Sequence, residues 1–225
     1  MKAMILAAGQ GKRLRPYTEH TPKPLLKVAG KALIEYHLER LAAAGFKNIV
    51  INIAYLGEQI EKALGDGRRW QLSIRYSKEL APLETAGAIV HAASLLDEQP
   101  FLLVNADVWT DFPFECMHSR ALDPHSLGHL VMVANPKHNT RGDYSLDGEG
   151  YLCNKRESAY TFSGISLINP KLVLAYAARR PAFPLSEVFQ DGIKRRRLTG
   201  EVFRGQWWDI GTPQRLCELN RHLCQ

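Results

Sequence analysis

The chain has 225 residues, of which 45% are hydrophobic and 23% are charged, a composition typical of a folded globular protein and against intrinsic disorder. No apolar run approaches the roughly 18 residues that span a bilayer, so we expect no membrane partner. The net charge of +6 arises from 29 Lys and Arg against 23 Asp and Glu. Residues 1–31 hold seven bases and one acid, so this segment carries the whole surplus.

The cysteines and the N-terminus indicate the compartment. Cys116, Cys153, Cys217 and Cys224 form no Cys-x-x-Cys pair, and none has a histidine at zinc-ligand spacing. The N-terminus has neither the hydrophobic region nor the cleavage site of a signal peptide. We therefore expect free thiols and a cytoplasmic protein.

Apolar runs of strand length alternate with stretches of helical periodicity. In the first half we predict strands at residues 4–8, 48–54, 72–76 and 101–105 and helices at 32–44, 56–64 and 85–96, with Gly45 ending the first helix. In the second half we predict strands at 130–134 and 164–168, a helix at 185–193, and a final helix that starts at Thr212 and Pro213 and ends near residue 223.

This alternation predicts an α/β fold with a mixed, mainly parallel sheet flanked by helices, as in Rossmann-like proteins. The sequence contains no Pro/Gly/Ser linker, internal repeat or low-complexity tract. We therefore expect residues 1–225 to form a single domain, with a regular half at 1–110 and a less regular half at 111–225.

A glycine loop, Gly9-Gln10-Gly11-Lys12-Arg13, follows the first predicted strand. Glycines allow backbone N–H groups to close around a phosphate, and the adjacent cations add positive charge. A dinucleotide fingerprint is excluded because Leu14 stands where a third glycine is needed, and a Walker A loop because Leu6 and Arg13 replace its first glycine and its Ser or Thr. A tight turn with solvated cations remains the alternative.

Lys23 lies between Pro22 and Pro24. Each proline fixes its own φ and restricts the residue before it, so we expect a stiff, extended backbone around this lysine. A rigid backbone at this position suits a lysine that bridges phosphate oxygens. An ordinary loop lysine between two structural prolines is the other interpretation.

Two isolated acids follow apolar or aromatic residues. Asp107 comes just after the predicted strand at 101–105, and the carboxyl ends of such strands form the ligand crevice of open α/β sheets. A carboxylate there is a suitable Mg²⁺ ligand, and a cap of the next helix is the alternative interpretation. Asp209 lies between Trp208 and a helix start, and by itself could be only a turn residue.

The sequence from residue 6 to 18, Leu-Ala-Ala-Gly-Gln-Gly-Lys-Arg-Leu-Arg-Pro-Tyr-Thr, is followed at 22–31 by Pro-Lys-Pro-Leu-Leu-Lys-Val-Ala-Gly-Lys. Together these segments resemble the signature of the sugar-phosphate nucleotidylyltransferases. The resemblance covers nearly the whole chain and is strongest in residues 1–110 and 200–216. It is closest to the short type without a C-terminal β-helix, the element that usually forms trimers, so a monomer is expected.

The resemblance implies an Mg²⁺-dependent enzyme that condenses an NTP with a sugar 1-phosphate, giving an NDP-sugar and pyrophosphate by in-line attack. It favours UTP and N-acetylmuramate 1-phosphate, and hence a role in peptidoglycan recycling. Residues 1–110 would form the nucleotide-binding half, and residues 111–225 the sugar-binding half with the final helix.

The resemblance also implies the site residues. Arg13 and Lys23 would be the catalytic cations, and Asp107 and Asp209 would together hold the metal. The expected nucleotide-binding residues are Leu6, Ala8, Gly9, Gly11, Lys12, Arg13, Lys23, Glu79 and Gly87, and the expected sugar-binding residues are Asn105, Gly142 and Glu157.

Within this set, Glu79 would read the base edge and Gly87 would let the nucleobase approach a helix start. Arg141 or Arg156 would meet the carboxylate of the sugar.

Three alternatives stay open. Guanylyltransferases for mannose or heptose 1-phosphate share the same motifs, and a sugar-nucleotide sensor could keep the fold without catalysis. A nucleic-acid-binding module could use the basic N-terminus, but its cations form no stripe, and the basic run at 194–197 lacks interleaved aromatics. We expect that run to be a solvated helix end and expect no nucleic-acid partner.

Overall fold

The computed structural model describes residues 1–154 and 158–224. The strands of the described part are β1 Lys2–Leu6, β2 Lys27–Val28, β3 Lys31–Ala32, β4 Asn48–Ile53, β5 Ser73–Lys78, β6 Phe101–Asn105, β7 Val108–Thr110, β8 Gly128–Val133, β9 Ser145–Leu146, β10 Leu152–Cys153, β11 Thr161–Ile168, β12 Leu198–Val202 and β13 Trp207–Asp209. Its helices are α1 Leu33–Ala43, α2 Gly57–Leu64, α3 Glu84–His91, α4 Ala93–Leu96, α5 Phe114–His118, α6 Pro170–Leu174, α7 Leu185–Lys194 and α8 Pro213–Leu223.

A seven-stranded sheet in the order β12-β8-β11-β6-β1-β4-β5 forms the centre of the molecule. Strand β11 is antiparallel to both of its neighbours, whereas the other neighbouring pairs run parallel. The prediction of a mixed, mainly parallel α/β sheet is confirmed.

Both faces of this sheet are covered by helices. In β1, Ala3 and Ile5 pack on the side of α1, α2 and α5, whereas Met4 packs on the side of α3, α6 and α7. Successive strand side chains point to opposite faces, so an uninterrupted apolar run is what a strand buried on both faces requires. The carboxyl ends of the parallel strands are thereby left free to hold a ligand.

Every strand and helix predicted in the first half is present, although the first strand lies at Lys2–Leu6 rather than at residues 4–8 and one helix is interrupted. The helix expected over residues 85–96 breaks at Ala92 into α3 and α4. Gly45 follows α1 with a φ of +87°, the left-handed conformation that ends many helices.

The second half contains strands that apolar periodicity does not reveal. β12 extends the sheet beside β8, and β13 pairs antiparallel with β7 in a separate two-stranded ribbon. This ribbon joins the segment after β6 to the segment before α8. In the described residues no helix is both long and apolar enough to cross a membrane.

Candidate active site

A cavity of about 570 Å³ lies at the carboxyl ends of β1, β4 and β6. Leu6, Asn52 and Asn105 mark the ends of these strands on its wall. The other lining residues come from the glycine loop, the Lys23 turn, the segment before α3 and the strand connections: Ala7, Ala8, Gly9, Gln10, Gly11, Lys12, Arg13, Leu14, Lys23, Pro24, Glu79, Pro82, Leu83, Glu84, Thr85, Ala106, Asp107 and Gly211.

The two glycines of the loop, Gly9 and Gly11, differ in backbone conformation and in how closely other atoms pack against them. Gly11 has a φ of +62°, and a Cβ there would lie 2.8 Å from the Thr18 methyl group. The Thr18 hydroxyl also donates to the Gly11 carbonyl over 2.8 Å, so Gly11 is required by the fold. Gly9 has no neighbouring atom within 4 Å of such a Cβ, so the fold leaves open space beside its backbone at the cavity wall.

Two cations of the glycine loop line this cavity. Lys12 and Arg13 are exposed, and no side-chain hydrogen bond or ion pair to either is found among the described residues. A Cβ on Gly211 would lie 3.3 Å from an Arg13 Nη, so the guanidinium reaches the segment between β13 and α8. The glycine-loop side of the cavity therefore presents two cations without an acidic partner in the described part of the chain, which suits an anionic ligand.

Lys23 is buried, and its side chain points at Asp107. The two side chains are joined by a 2.5 Å ion pair between Nζ and Oδ2. The expected extended backbone at Lys23 is wrong: Lys23–Leu25 is a 3-10 turn, with the Leu25 N–H donating to the Pro22 carbonyl over 2.8 Å. This hydrogen-bonded turn, rather than extension between prolines, fixes the direction of the lysine.

A buried polar chain connects three strands at the cavity floor. The Ala7 N–H donates to Asn52 Oδ1 over 2.8 Å, and Asn52 Nδ2 donates to Glu79 Oε1 over 2.7 Å. The Leu83 N–H donates to the other Glu79 oxygen over 3.3 Å. Asn52 was not among the residues predicted for the site. The feature that could have indicated it is a polar residue near the end of a strand rich in β-branched residues.

The start of α3 and the residues just before it form one side of the cavity. Glu84, the first residue of α3, has a φ of +57°, a conformation that costs free energy in a residue other than glycine. Gly87 is not part of the cavity wall. A Cβ on Gly87 would lie 2.5 Å from the Pro181 carbonyl oxygen, and its N–H donates to the Phe183 carbonyl over 3.3 Å. This packing by itself accounts for a glycine at position 87, and the expected contact with a base stays a prediction.

The ribbon of β7 and β13 brings the two predicted metal acids to neighbouring positions. Asp209 pairs with Val108, the residue after Asp107, and the Ile210 N–H donates to the Asp107 carbonyl over 2.8 Å. Asp209 Oδ1 accepts from an Arg215 Nη and lies 3.0 Å from His138 Nε2. Segments about one hundred residues apart in sequence thus meet at one end of the cavity.

The carboxylate oxygens at this end of the cavity suit Mg²⁺ better than a softer metal ion. Among the described residues, no group of three or more His, Cys, Asp and Glu is placed to hold a metal ion. Mg²⁺ needs no such group, because it keeps several waters and takes one or two carboxylates together with substrate phosphates. Asp107 and Asp209 supply two such carboxylates.

A second cavity of about 490 Å³ adjoins the first and shares Leu6, Thr85 and Asn105 with it. Asn105 lies against Gly164, where a Cβ would be 2.8 Å from the Asn105 amide nitrogen. The remaining wall is formed by Gly142, Asp143, Tyr144, Phe162, Pro184, Leu185, Ser186, Phe189 and Gln190.

This second cavity includes two of the three predicted sugar-binding residues, Asn105 and Gly142. Glu157, the third, lies outside the described residues, as does Arg156. Burial raises the pKa of Tyr144, a residue of this wall, to about 12 from an ordinary value at which the hydroxyl is already protonated at neutral pH.

The basic run at 194–197 is exposed at the end of α7, as expected, and two of its arginines also contact neighbouring segments. Arg196 forms ion pairs with Asp147 and Glu149 and stacks on the Tyr151 ring. Arg197 donates to the His125 carbonyl over 3.0 Å. These contacts hold the end of α7 to the β9–β10 hairpin.

Comparisons with known proteins agree with this arrangement. Residues 2–146 match the nucleotidyl transferase family. The chain is 48% identical to the N-acetylmuramate alpha-1-phosphate uridylyltransferase of Neisseria meningitidis serogroup B, covering 97% of this chain and 96% of that protein. It is 32% identical to the mannose-1-phosphate guanylyltransferase catalytic subunit beta of Drosophila melanogaster, covering 95% of this chain and 60% of that protein.

Two solved structures share the fold. A Bacillus anthracis protein described as a glucose-1-phosphate thymidylyltransferase, in complex with sucrose, superposes with a TM-score of 0.88 at 21% identity, covering 99% of this chain and 94% of that one. HddC from Yersinia pseudotuberculosis, complexed with GMP-PN, gives a TM-score of 0.81 at 20% identity, covering 99% of both chains.

The fold and the cavity define an α/β protein with a cavity at the carboxyl edge of its sheet, one side of which is lined by cations. With the family match and the near-full-length relative, the chain belongs to the nucleotidyl transferase family and is a sugar-phosphate nucleotidylyltransferase.

Proposed function

We propose that this protein transfers a uridylyl group from UTP to N-acetylmuramate 1-phosphate, giving UDP-N-acetylmuramate and pyrophosphate. The observation that carries this choice of substrates is the 48% identity, over nearly the whole of both chains, to an N-acetylmuramate alpha-1-phosphate uridylyltransferase. The arrangement of the two cavities supports the type of reaction.

The two cavities suit two substrates whose phosphates must meet. They adjoin at Leu6, Thr85 and Asn105, close to the Lys23–Asp107 ion pair. UTP would occupy the larger, cation-lined cavity, and the sugar would occupy the second. Holding two mutually repelling anions in contact is the main task of such a catalyst, and buried cations lower that repulsion.

In this reaction an oxygen of the sugar 1-phosphate forms a bond to the α-phosphorus of UTP while the bond from that phosphorus to pyrophosphate breaks. The transfer needs no covalent enzyme intermediate. Arg13 and the backbone N–H groups of the glycine loop would bind the β- and γ-phosphates, which leave as pyrophosphate. Lys23 would contact the α-phosphate and the acceptor phosphate, where charge increases in the transition state.

Asp107 and Asp209 would hold Mg²⁺ beside Lys23. When bound, the metal supplies charge neutralisation and orientation to the reacting phosphates. The carboxylates have the hard oxygen donors that Mg²⁺ prefers.

The second cavity has the chemistry of an acylated amino-sugar site. Phe162, Phe189 and Leu185 offer apolar surface for acyl and lactyl methyl groups, and the protonated Tyr144 hydroxyl can donate to a sugar oxygen. Arg141 is exposed beside Gly142 and would meet the lactyl carboxylate.

We assign the reaction to peptidoglycan recycling in the cytoplasm, with the enzyme acting as a monomer. The four cysteines are free thiols, which accords with a reducing compartment.

A substrate matrix tests the proposal. The purified protein is incubated with Mg²⁺, each of the four NTPs and each of several sugar 1-phosphates, and pyrophosphate is measured. The proposal requires the highest kcat/KM for UTP with N-acetylmuramate 1-phosphate. Preference for GTP with mannose 1-phosphate would establish the guanylyltransferase activity that the name of the 32% identical relative describes. Failure of every pair would favour a non-catalytic sensor.

A further inference from the structure

Both carboxylates proposed to hold Mg²⁺ are paired with cations that are themselves largely buried. The Lys23 side chain is 10% exposed and pairs with Asp107, while the Arg215 side chain is 15% exposed and pairs with Asp209. The sequence analysis gave Arg215 no role. Its position indicates one.

Arg215 lies in the first turn of α8, and its guanidinium turns back over the start of the helix. One Nη contacts Asp209, and the Nε contacts the Thr212 hydroxyl at 3.4 Å. A Cβ on Gly211 would meet the other Nη, so a glycine at this position allows the guanidinium to lie across the turn in the conformation observed.

The same guanidinium is close to the phosphate end of the cavity. Gly211 lines that cavity, and the point where its Cβ would stand lies near both the Arg215 and the Arg13 guanidinium groups. Arg13 is the cation proposed to bind the departing phosphates. A triphosphate held by Arg13 would thus offer Arg215 a second anionic partner within a short side-chain movement.

Arg215 and a metal ion compete for Asp209 in the nucleotide-free protein. The guanidinium occupies Oδ1, and its positive charge opposes the approach of a second cation. His138 Nε2 also lies 3.0 Å from the same oxygen, which crowds it further. A bound triphosphate changes this balance, because it attracts the guanidinium and adds negative charge beside the carboxylates.

We infer that Arg215 is a positioning residue that occupies Asp209 until nucleotide binds, so that Mg²⁺ binds weakly to the free protein and tightly together with the nucleotide. The inference rests on the proposed Mg²⁺ site. By linkage, the nucleotide strengthens metal binding by the same factor as the metal strengthens nucleotide binding. Arg215 supplies part of that coupling.

The test measures metal binding directly. Binding of Mn²⁺, an oxygen-seeking substitute for Mg²⁺, is followed by electron paramagnetic resonance in the wild type and in Arg215→Ala. Each protein is titrated alone and with a non-hydrolysable UTP analogue, after correction for metal bound by the analogue itself. Arg221→Ala is the matched control, because Arg221 is exposed on the same helix and its substitution removes the same charge.

Without nucleotide, Arg215→Ala should bind Mn²⁺ about tenfold more tightly than the wild type, a typical size for coupling between sites. With the analogue this difference should disappear, and Arg221→Ala should match the wild type throughout. Arg215→Gln, which keeps more of the side-chain packing, should show the same direction and covers the case in which the alanine variant does not fold.

Two contrary results are distinguishable. If the wild type binds metal with the analogue but Arg215→Ala and Arg215→Gln bind it no more tightly when nucleotide is absent, the inference about Arg215 is overturned and the metal site stands. If the wild type binds no metal beyond that held by the analogue alone, the proposed Mg²⁺ site fails and the inference fails with it.

Discussion

The Lys23 ammonium lies 2.5 Å from the Asp107 carboxylate, although the two residues are 84 positions apart in the chain. Both residues line the larger cavity, and Asp107 lies two residues after Asn105, which lines both cavities, so the pair is close to where the phosphates of both substrates would meet. Lys23→Ala should therefore lower kcat about a thousandfold, the scale seen when one group that stabilises transition-state charge is removed. Steady-state pyrophosphate release measures this loss.

The control for Lys23→Ala is Lys27→Ala, which removes an exposed lysine four residues away. This control should keep normal turnover. Asp107 remains partly exposed, so the loss of its partner should leave the circular dichroism spectrum unchanged. Near-normal turnover of Lys23→Ala would remove Lys23 from the mechanism.

The two loop glycines should respond in opposite ways to alanine. At Gly9 a methyl group meets no protein atom, so Gly9→Ala should unfold at the wild-type temperature but raise the KM for NTP about tenfold by filling ligand space. At Gly11 the positive φ and the Thr18 contact should cost about 1–2 kcal/mol of unfolding free energy. Thermal unfolding and initial-rate kinetics on both variants separate the two effects, and a Gly9→Ala enzyme with unchanged KM would show that no phosphate binds there.

Gly87→Ala separates packing from nucleotide contact. The added methyl group would press on the Pro181 carbonyl, so we expect a loss of about 1–3 kcal/mol in the free energy of unfolding, as for other overpacked sites. The KM for NTP should stay unchanged, because Gly87 does not line the cavity. A fully stable variant with a raised KM would restore the base-binding role expected from the sequence.

His37 should make the protein less stable in acid. It lies on the buried face of α1, and burial lowers its pKa to about 4 from 6.5, outweighing the opposite effects of the Val108 backbone and Asp107. Below about pH 6.5 the unfolded chain takes up a proton that the folded protein does not. The stability therefore falls between pH 6.5 and about 4 and levels off below, with a total loss of about 3 kcal/mol.

Urea denaturation at several pH values measures this effect, with His37→Leu as the reference because leucine carries no titrating group. The stability difference between wild type and variant should shift by about 3 kcal/mol in favour of the variant between pH 8 and pH 4. A difference independent of pH would show that His37 is protonated equally in both states.

The regular half of the fold could be predicted from the sequence because its signals are local. Runs such as Ile49–Ile51 in β4 and the periodic face of α1 are buried in the sheet layers as expected. The β7–β13 ribbon could not be predicted, because its three-residue strands pair across about one hundred positions and are defined by each other rather than by periodicity.

In the candidate site, the motif residues could be identified from the sequence, but the contacts between their side chains could not. The proximity of Asp107 and Asp209 followed only from family resemblance, since no spacing in the sequence joins them. Asn52 and Arg215 escaped notice because a strand-end asparagine and a helix arginine are common residue types. Their roles depend on Glu79 and Asp209, which the fold brings to them.

Which nucleotide and which sugar the enzyme joins can be tested in one competition experiment. N-acetylmuramate 1-phosphate and Mg²⁺ are supplied with equal concentrations of all four NTPs, and the products are identified by mass spectrometry. We expect UDP-N-acetylmuramate as the main product, with one pyrophosphate released per molecule. A GDP-sugar as the main product, or no nucleotide sugar at all, would contradict the proposed activity.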